Sequence, residues 1–362
     1  MVRRDFNKEK EIIQNINQMI KKNPRRNIVL MEVCGTHTVS IFKHGIRNML
    51  PENIKLVSGP GCPVCVTPAE YLDQAIDLAK GKDVIICTFG DMVRVPGTKE
   101  TLEDARIQGA EIRIVYSPLD CLDIAQKNLS KRIVFLAVGF ETTAPVVALA
   151  IKHAEDMGIK NFFILSGLKT IFPAIRKVFN YQDSNIDGLI CPGHVTSITG
   201  ERAYDFIPVN FGIPCVIAGF EAMDILKAVE ILISKVLFGN AGVWNAYKRA
   251  GTVEGNQKAI DLISEVFEPA NDSWRGFGEI ADSGLRLADE YKIFDIREIL
   301  GVDIPKWTGD SGCLCGDIIR GIKEPFECNL FGKACTPHNP KGPCMVSTEG
   351  TCAAYFKFGE RN

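Results

Sequence analysis

The sequence predicts an α/β protein made of two similar parallel-sheet domains that face a cleft, followed by a mostly helical, loop-rich C-terminal domain. Up to residue 225, short runs of consecutive apolar residues alternate with helical stretches, which is typical of parallel sheets covered on both faces. Similar strand–turn motifs occur twice, in the same order, along this region. Beyond it the strand pattern fades, and six cysteines fall between Cys313 and Cys352 in a segment rich in loops.

The elements follow from hydrophobic periodicity. Apolar residues at steps of three and four predict a first helix over residues 6–22, which Pro24 ends. The apolar runs then predict eight strands, at residues 27–33, 54–59, 83–89, 111–117, 132–140, 161–167, 188–191 and 214–220. Helices are predicted at residues 68–80, 99–109, 119–128, 143–157, 170–180 and 221–237, and loops at 272–280.

Three pairs of matching segments indicate an internal duplication. The segment IVLMEVCGTHT (28–38) is similar to IVFLAVGFETT (133–143), LVSGPGCPV (56–64) to LICPGHVTS (189–197), and IICTFGDM (85–92) to VIAGFEAM (216–223). The alternative is that any two strand–glycine turn–helix units look alike. Ligands of open parallel sheets bind beyond the carboxyl ends of the strands. We therefore expect the functional site at these turns, in a cleft between the two domains.

These patterns divide the chain into four parts. Residues 1–27 form an N-terminal helix that packs on the C-terminal domain, and the α/β domains follow at 28–130 and 131–225. Residues 226–362 form the helical, cysteine-rich domain. Such a loop-rich segment buries little apolar surface, and a bound metal site commonly stabilises segments of this kind.

Composition narrows the class of protein. Charged residues make up 24% of the chain and the formal net charge is -2, so no nucleic-acid or anionic-membrane partner is indicated. The amino terminus lacks the apolar core of a signal peptide, and the apolar runs are shorter than a bilayer span. We therefore predict a cytoplasmic protein. In a reducing compartment its thirteen cysteines favour metal or redox chemistry over permanent disulfides.

The segment EVCGTH places Cys34 directly after a strand and His37 three residues later. Thiolate and imidazole groups both bind iron, and His37 has the alternative role of carrying a proton. Gly35 allows a ligand to approach the backbone closely. The alternative for this segment is a buried cysteine beside Thr36 as a helix cap.

The segment GPGCPVC holds Cys62 and Cys65, the one Cys-x-x-Cys of the chain, between a strand and a helix that begins near Thr67. Thiols at a helix amino terminus have depressed pKa values, so the pair is interpreted as a redox dithiol. Half of a metal site is the alternative. The missing second Cys-x-x-Cys argues against a zinc knuckle.

Two further motifs supply polar side chains at predicted strand ends. The segment GFETT provides Glu141 and the hydroxyl of Thr142, and CPGHVTS provides His194. If the two domains face each other, these side chains lie opposite Cys34 and His37, where they could move protons or orient a small ligand. Otherwise a threonine caps a helix and Glu141 is an acid of its first turn.

The six C-terminal cysteines, Cys313, Cys315, Cys328, Cys335, Cys344 and Cys352, lack paired Cys-x-x-Cys knuckles. Irregular spacing over loops favours a [4Fe–4S] cluster over zinc, and six thiols for four positions leave two near the redox centre. Six purely structural thiols are the alternative.

Together these motifs resemble the HypD family of hydrogenase maturation factors. The resemblance rests on CGTH (34–37), GPGCPVC (59–65), GFETT (139–143), PGH (192–194) and the cysteine-rich tail, in this order along nearly the whole chain. The family implies a scaffold that, with the partners HypC and HypE, builds the Fe(CN)2CO moiety of [NiFe] hydrogenases. HypC shares the iron, and HypE donates cyanide from a thiocyanate.

The resemblance also implies roles for individual residues. Cys34 becomes the iron ligand with His37 beside it, and Cys62 and Cys65 become a local redox pair. A C-terminal [4Fe–4S] cluster is implied, for which we choose four ligands and leave two cysteines as a second dithiol. The ligands are Cys313, Cys328, Cys335 and Cys352, and the dithiol is Cys315 and Cys344, with Cys315 in place of Cys313 as the alternative ligand.

The leading hypothesis is therefore an assembly scaffold with a thiol and [4Fe–4S] redox relay, more an iron-carrying chaperone than a multiple-turnover enzyme. A stand-alone, cluster-dependent thiol–disulfide reductase is the second hypothesis. A zinc protein whose central motifs are only turns is the third.

Overall fold

The computed structural model describes residues 6–302 and 312–359. Its strands are β1 (Ile28–Glu32), β2 (Ile54–Ser58), β3 (Val84–Thr88), β4 (Glu111–Ile114), β5 (Arg132–Gly139), β6 (Phe162–Leu168), β7 (Gly188–Pro192), β8 (Cys215–Ala218), β9 (Val243–Asn245), β10 (Phe267–Trp274) and β11 (Gly278–Leu287).

The helices of the N-terminal half are α1 (Phe6–Lys21), α2 (Gly35–Lys43), α3 (Ile46–Met49), α4 (Pro63–Val66), α5 (Ala69–Ala79), α6 (Leu102–Ile107), α7 (Asp120–Lys127), α8 (Ala144–Asp156) and α9 (Ile171–Phe179). Those of the C-terminal half are α10 (Gly193–Thr199), α11 (Phe206–Phe211), α12 (Ala222–Phe238), α13 (Gln257–Val266), α14 (Ile296–Leu300), α15 (Cys315–Ile319), α16 (Pro343–Val346) and α17 (Thr351–Phe358). Short 3₁₀ turns lie at Gly90–Arg94, Arg202–Tyr204, Asp289–Phe294 and Pro325–Glu327.

Two parallel sheets form the centre of the molecule. The first has the order β2-β1-β7-β8-β9, and the second has the order β4-β3-β5-β6. Helices cover both faces, so the central strands are apolar along almost their whole length, as β5 illustrates with seven consecutive buried residues. All eight predicted strands are present, and the predicted α/β class with parallel-sheet domains is confirmed.

The sheets divide the chain differently from the predicted ranges. The second sheet, β3 to β6, is inserted between β2 and β7 of the first, so residues 28–130 and 131–225 each contain strands of both sheets. The duplication fails for the same reason, because β1 and β2 are neighbours whereas their supposed counterparts β5 and β7 lie in different sheets. The matching segments are similar because each contains a buried parallel strand that is followed by a close turn into a helix.

The N-terminal helix packs on the first sheet and on α12. Ile12, Ile16 and Ile20 enter a core with β1 and α12, and Asn15 donates a hydrogen bond of 2.8 Å to Glu230. The sequence predicts that this helix packs on the C-terminal domain, residues 226–362. Among the described residues, the structure shows such a contact only with the part of α12 that follows residue 225. Residues 1–5, 303–311 and 360–362 of the predicted domains lie outside the described residues.

The region predicted as loops at 272–280 is instead part of an antiparallel hairpin, β10–β11, paired from Phe267 with Leu287 to Trp274 with Gly278. Pro269, Asn271 and Asp272 mask the strand pattern, and the sheet has two strands, where such residues are tolerated. The cysteine-rich segment packs short helices and turns on the face of the first sheet opposite α1 and α12.

Candidate functional site

Cys34 follows β1 at the carboxyl edge of the first sheet and immediately precedes α2. Its side chain is half-buried, and its backbone N–H donates to Glu32 Oε2 at 3.1 Å. Burial and the nearby carboxylates of Glu349 and Glu32 raise the pKa of the thiol to about 12, although the amides of His37 and Thr36 act in the opposite direction. The metal-free thiol is thus protonated at neutral pH, and metal binding there would release a proton.

His37 lies in the first turn of α2 and is completely buried. Its Nε2 is 2.9 Å from the carbonyl oxygen of Gly219, and since a carbonyl only accepts, Nε2 carries the proton. Nδ1 is buried with no hydrogen-bond partner in the part of the chain that the structure describes. Burial lowers the pKa of His37 to about 4, so the ring is neutral and Nδ1 offers a free lone pair.

Phe220 lies between the two predicted histidines. The ring of His37 stacks on it with centroids 4.7 Å apart, and the ring of His194 approaches it to 4.0 Å. His194 is solvent-exposed, and desolvation lowers its pKa while Glu349 opposes the shift. The structure therefore brings His194, which follows β7, to the same place as His37, as the sequence predicts.

The dithiol turn is in backbone contact with the Cys34 turn. A Cβ on Gly61 would lie 2.1 Å from the carbonyl carbon of Val33 and 2.2 Å from the nitrogen of Cys34, so only glycine fits. The carbonyl of Gly61 also accepts a hydrogen bond from the N–H of Gly35 at 3.2 Å. Three of the predicted cysteines, Cys34, Cys62 and Cys65, therefore share one edge of the first sheet.

The dithiol itself is buried. Cys62 is the N-cap of the one-turn helix α4, and its sulfur accepts the N–H of Cys65 at 3.3 Å. Burial raises the pKa of Cys65 well above its ordinary value, contrary to the depressed pKa expected at a helix amino terminus. Desolvation outweighs the helix dipole because α4 is only four residues long.

The six C-terminal cysteines line one small, mostly apolar cavity. Cys352 lies near Cys313, Cys335 and Cys328, and also near Cys315 and Cys344, so the four chosen cluster ligands are neighbours but are not set apart from the other two. Four soft thiols around one cavity fit the donor set of an iron–sulfur cluster. Within residues 6–302 and 312–359, no three His, Cys, Asp or Glu side chains are arranged to hold a single metal ion.

The two remaining cysteines connect this cavity to the dithiol turn. The sulfur atoms of Cys315 and Cys344 are 2.7 Å apart, and Cys344 also lies near Cys65, because α16 packs on α4. Cys315 in turn lies near Cys313, since both side chains contact Gly342 and line the same cavity. The thiols thus form a continuous row from Cys62 to the cysteine-rich cavity.

Glu141 and Thr142 lie elsewhere. Glu141 follows β5 in the second sheet, and its Oε1 accepts the N–H of Ile171 at 2.8 Å, while Oε2 is buried with no partner in the described chain. Burial raises its pKa to about 7. Thr142 is exposed. Among the described residues, neither side chain forms a hydrogen bond with Cys34, His37 or the dithiol, so their predicted position opposite Cys34 stays a prediction.

Comparison with known proteins identifies the family. The family model HypD, described as "Hydrogenase formation hypA family", matches residues 7–359. This chain belongs to the HypD family. It is 42% identical over 346 residues to "Hydrogenase maturation factor HypD" of Azotobacter vinelandii, covering 94% of this chain and 91% of the relative.

Two further HypD relatives carry the same name. The protein of Rhodobacter capsulatus is 41% identical over 352 residues, covering 96% of this chain and 93% of the relative. That of Escherichia coli K12 is 40% identical over 337 residues, covering 93% and 90%. The predicted resemblance is thereby confirmed, and the chain is a hydrogenase maturation factor of the HypD type. None of its described helices is both long and apolar enough to cross a bilayer.

Three acidic residues of this HypD chain belong to the site although the sequence motifs do not single them out. Glu349 accepts a hydrogen bond from Thr36 at 2.6 Å, and Glu32 accepts one from Thr38 at 2.5 Å. Asp91 accepts one at 3.2 Å from Ser347, whose hydroxyl lies 3.7 Å from the sulfur of Cys62. The only sequence signal was a carboxylate at the end of an apolar strand for Glu32.

Proposed function

We propose that this chain is a cytoplasmic assembly scaffold that binds iron at Cys34 and, with HypC and HypE, builds the Fe(CN)2CO moiety of [NiFe] hydrogenases. One observation carries the proposal. A half-buried thiol at a sheet edge lies one helical turn before a buried histidine, His37, whose Nδ1 has no partner in the described chain. This arrangement offers iron one open ligand at the surface, where a second protein can supply another.

The surrounding residues serve the binding of iron. Cys34 loses its proton on coordination, and Glu32, whose pKa burial raises to about 7, can accept a proton near neutral pH. Glu349 is held in place by Thr36, and its charge offsets that of a bound cation. His37 either ligates the iron through Nδ1 or accepts a proton there.

The row of thiols supports a redox role. Cys313, Cys328, Cys335 and Cys352 would hold a [4Fe–4S] cluster in the cavity that they line. Such a cluster, when bound, supplies electrons one at a time. The Cys315/Cys344 and Cys62/Cys65 pairs are in contact through Cys344 and Cys65, so thiol–disulfide exchange between them requires no large movement.

Burial of the dithiol favours the scaffold over a stand-alone reductase. Cys62 and Cys65 are 6% and 1% exposed, which excludes a protein disulfide from reaching them without rearrangement. Their accessible neighbours are other thiols of the same chain. An internal electron acceptor at the Cys34 site is consistent with this geometry.

Infrared spectroscopy tests the iron site. The chain is co-expressed with HypC and HypE, purified without oxygen and examined for the stretching bands of iron-bound cyanide and carbon monoxide. We expect these bands in the native chain and in Cys121→Ala, a control cysteine buried in the core of the second sheet. We expect Cys34→Ala to lose them, and bands that survive this change would disprove Cys34 as the iron ligand.

Metal analysis of the same preparations separates the cluster from zinc. About four irons and four sulfides per chain, beyond any iron carried at Cys34, would support a [4Fe–4S] cluster. Stoichiometric zinc without sulfide would overturn the cluster and the relay together.

A further inference from the structure

The tip of the β10–β11 hairpin, Trp274–Gly278, is held firmly inside the molecule. Trp274 is completely buried, and its Nε1 donates to Ser283 Oγ at 2.8 Å. Lys177 of α9 donates from Nζ to the carbonyl of Phe277 at 2.7 Å and to that of Glu279 at 2.8 Å. The tip is therefore a rigid support and not a free loop.

One side of this tip holds the dithiol turn. The backbone N–H of Arg275 donates to the carbonyl of Val66 at 2.8 Å, and its Nε donates to the carbonyl of Thr67 at 3.1 Å. These carbonyls lie at the carboxyl end of α4, where no helical N–H is available to them. Arg275 is only 3% exposed, so its hydrogen bonds fix the turn that carries Cys65 from within the core.

The other side of the tip touches the helix that begins at Cys315. A Cβ on Gly276 would lie 2.2 Å from the Cα of Gly316, and a Cβ on Gly316 would lie 2.6 Å from the Cα of Gly276. Only a pair of glycines permits this contact between the two backbones. The contact between Gly276 and Gly316 thus fixes the distance between the hairpin tip and α15, and Gly316 directly follows Cys315.

The two dithiols meet between these contacts. The helix α16, which carries Cys344, packs on α4, which carries Cys65, so the two thiols are neighbours. Phe277, Trp274 and the four cysteines belong to one apolar core. Thiol–disulfide exchange requires the attacking sulfur to approach a disulfide in a defined orientation, and small misplacements slow such reactions strongly.

We infer that the hairpin tip positions the two dithiols for exchange, with Arg275, Gly276 and Gly316 as positioning residues; the inference rests on the proposed thiol relay. In this step the Cys344 thiolate attacks Cys65 of a Cys62–Cys65 disulfide, and Cys62 leaves as a thiolate. The Cys315 thiolate then attacks Cys344 and releases Cys65. Two electrons pass from one pair to the other, so that Cys315–Cys344 becomes the disulfide and Cys62 and Cys65 are reduced.

The test traps the mixed disulfide of this step in the full chain. In the variant Cys62→Ser/Cys315→Ser, dilute hydrogen peroxide, which is small enough to reach buried thiols and is reduced to water, should link Cys65 to Cys344, and peptide mapping measures the rate. Adding Arg275→Gln or Gly316→Ala should slow the linkage about tenfold or more. Adding Arg286→Gln should leave it within about twofold, because Arg286 lies on the same hairpin but is paired with Glu268 at the surface.

The outcomes separate the inference from the proposed function. If Cys65 and Cys344 never link in the starting variant, both the relay and its positioning fail. If they link and the rate is the same with Arg275→Gln and Gly316→Ala, the relay stands and the hairpin inference is overturned. Thermal unfolding of each variant identifies one that has lost its fold. Should Gly316→Ala unfold, Arg275→Gln decides, because it removes the guanidinium that donates to Thr67 and leaves the backbone bond from Arg275 N–H to Val66 in place.

Discussion

The carboxyl group of Glu141 is buried, and burial favours its protonated, neutral form. One oxygen accepts a backbone N–H, but the other is buried with no partner in the described residues, and burial raises the pKa from 4.5 to about 7. Between these two values the folded chain binds a proton that the unfolded chain releases. The contribution of Glu141 to stability is therefore lost as the pH rises through this interval.

We predict that Glu141→Gln removes this part of the pH dependence. Glutamine keeps the acceptor for Ile171 and carries no charge, so the variant should be more stable than the native chain at pH 8, by about 1 to 3 kcal/mol. At pH 5 the two should differ little. Urea unfolding at both pH values measures the difference, with Glu52→Gln at an exposed position as the control. Equal stability of Glu141→Gln and the native chain at pH 8 would contradict the raised pKa.

At the scale of residues, the sequence predicts the position of a site side chain when that residue directly follows a strand and lies in a recognisable turn. His37 and His194 meet at Phe220 because the carboxyl ends of β1, β7 and β8 lie side by side in one sheet. Glu349 could not be predicted in this way, since it lies in a turn between short helices and reaches Thr36 across 313 residues of chain. Hydrophobic periodicity in the sequence does not reveal a contact between two turns so far apart in the chain.

At the scale of structural elements, the turns at the site depend on a few positions where two backbone segments are in direct contact. Gly61 fits between the dithiol and the turn of Cys34, where a Cβ would overlap the backbone of Val33 and Cys34. We predict that Gly61→Ala destabilises the chain by at least about 2 kcal/mol and exposes Cys62 and Cys65 to alkylating reagents, because the two turns must separate.

Gly90→Ala is the matched control for this change, since the nearest atom to its Cβ would be Ile114 Cγ2 at 3.8 Å. Chemical unfolding and the rate of thiol alkylation measure both effects. A Gly61→Ala chain with native stability and native alkylation rates would show that the turns are not in contact in solution.

Strands and hairpins differ in how well the sequence predicts them. The buried parallel strands were predicted to within a few residues because both faces are covered and their side chains are apolar throughout. The hairpin was not predicted because its strands β10 and β11 contain polar and turn-forming residues, and burial along β10 is irregular. Long-range contacts with α9 and α4 stabilise the hairpin, and these contacts cannot be recognised from the local sequence.

For the whole molecule, the main feature is the insertion of the second sheet into the first. The strand β1 pairs with β2 and also with β7, which follows the entire second sheet in sequence. The order of strands in a sheet is set by long-range packing, which turn motifs do not reveal. The sequence accordingly predicts the class of the fold but misplaces its boundaries.

This topology predicts that the apparent domains do not fold alone. The fragments 28–130 and 131–225 each contain strands of both sheets and lack their partners, so each should be largely unfolded when expressed separately. Circular dichroism and limited proteolysis check this, with the full chain as the reference. A cooperative thermal transition in either isolated fragment would refute the interleaved topology.

The bond between His37 and the carbonyl of Gly219 has a consequence for biosynthesis. It joins residues 182 positions apart, and Phe220 follows directly. At about 5–20 residues per second, a ribosome needs on the order of 10 to 40 s to make the chain between them. During that time a nascent chain displays Cys34 without the carbonyl and ring that hold His37. If Cys34 binds iron as proposed, selective loading therefore waits until translation has passed the later strands of the first sheet.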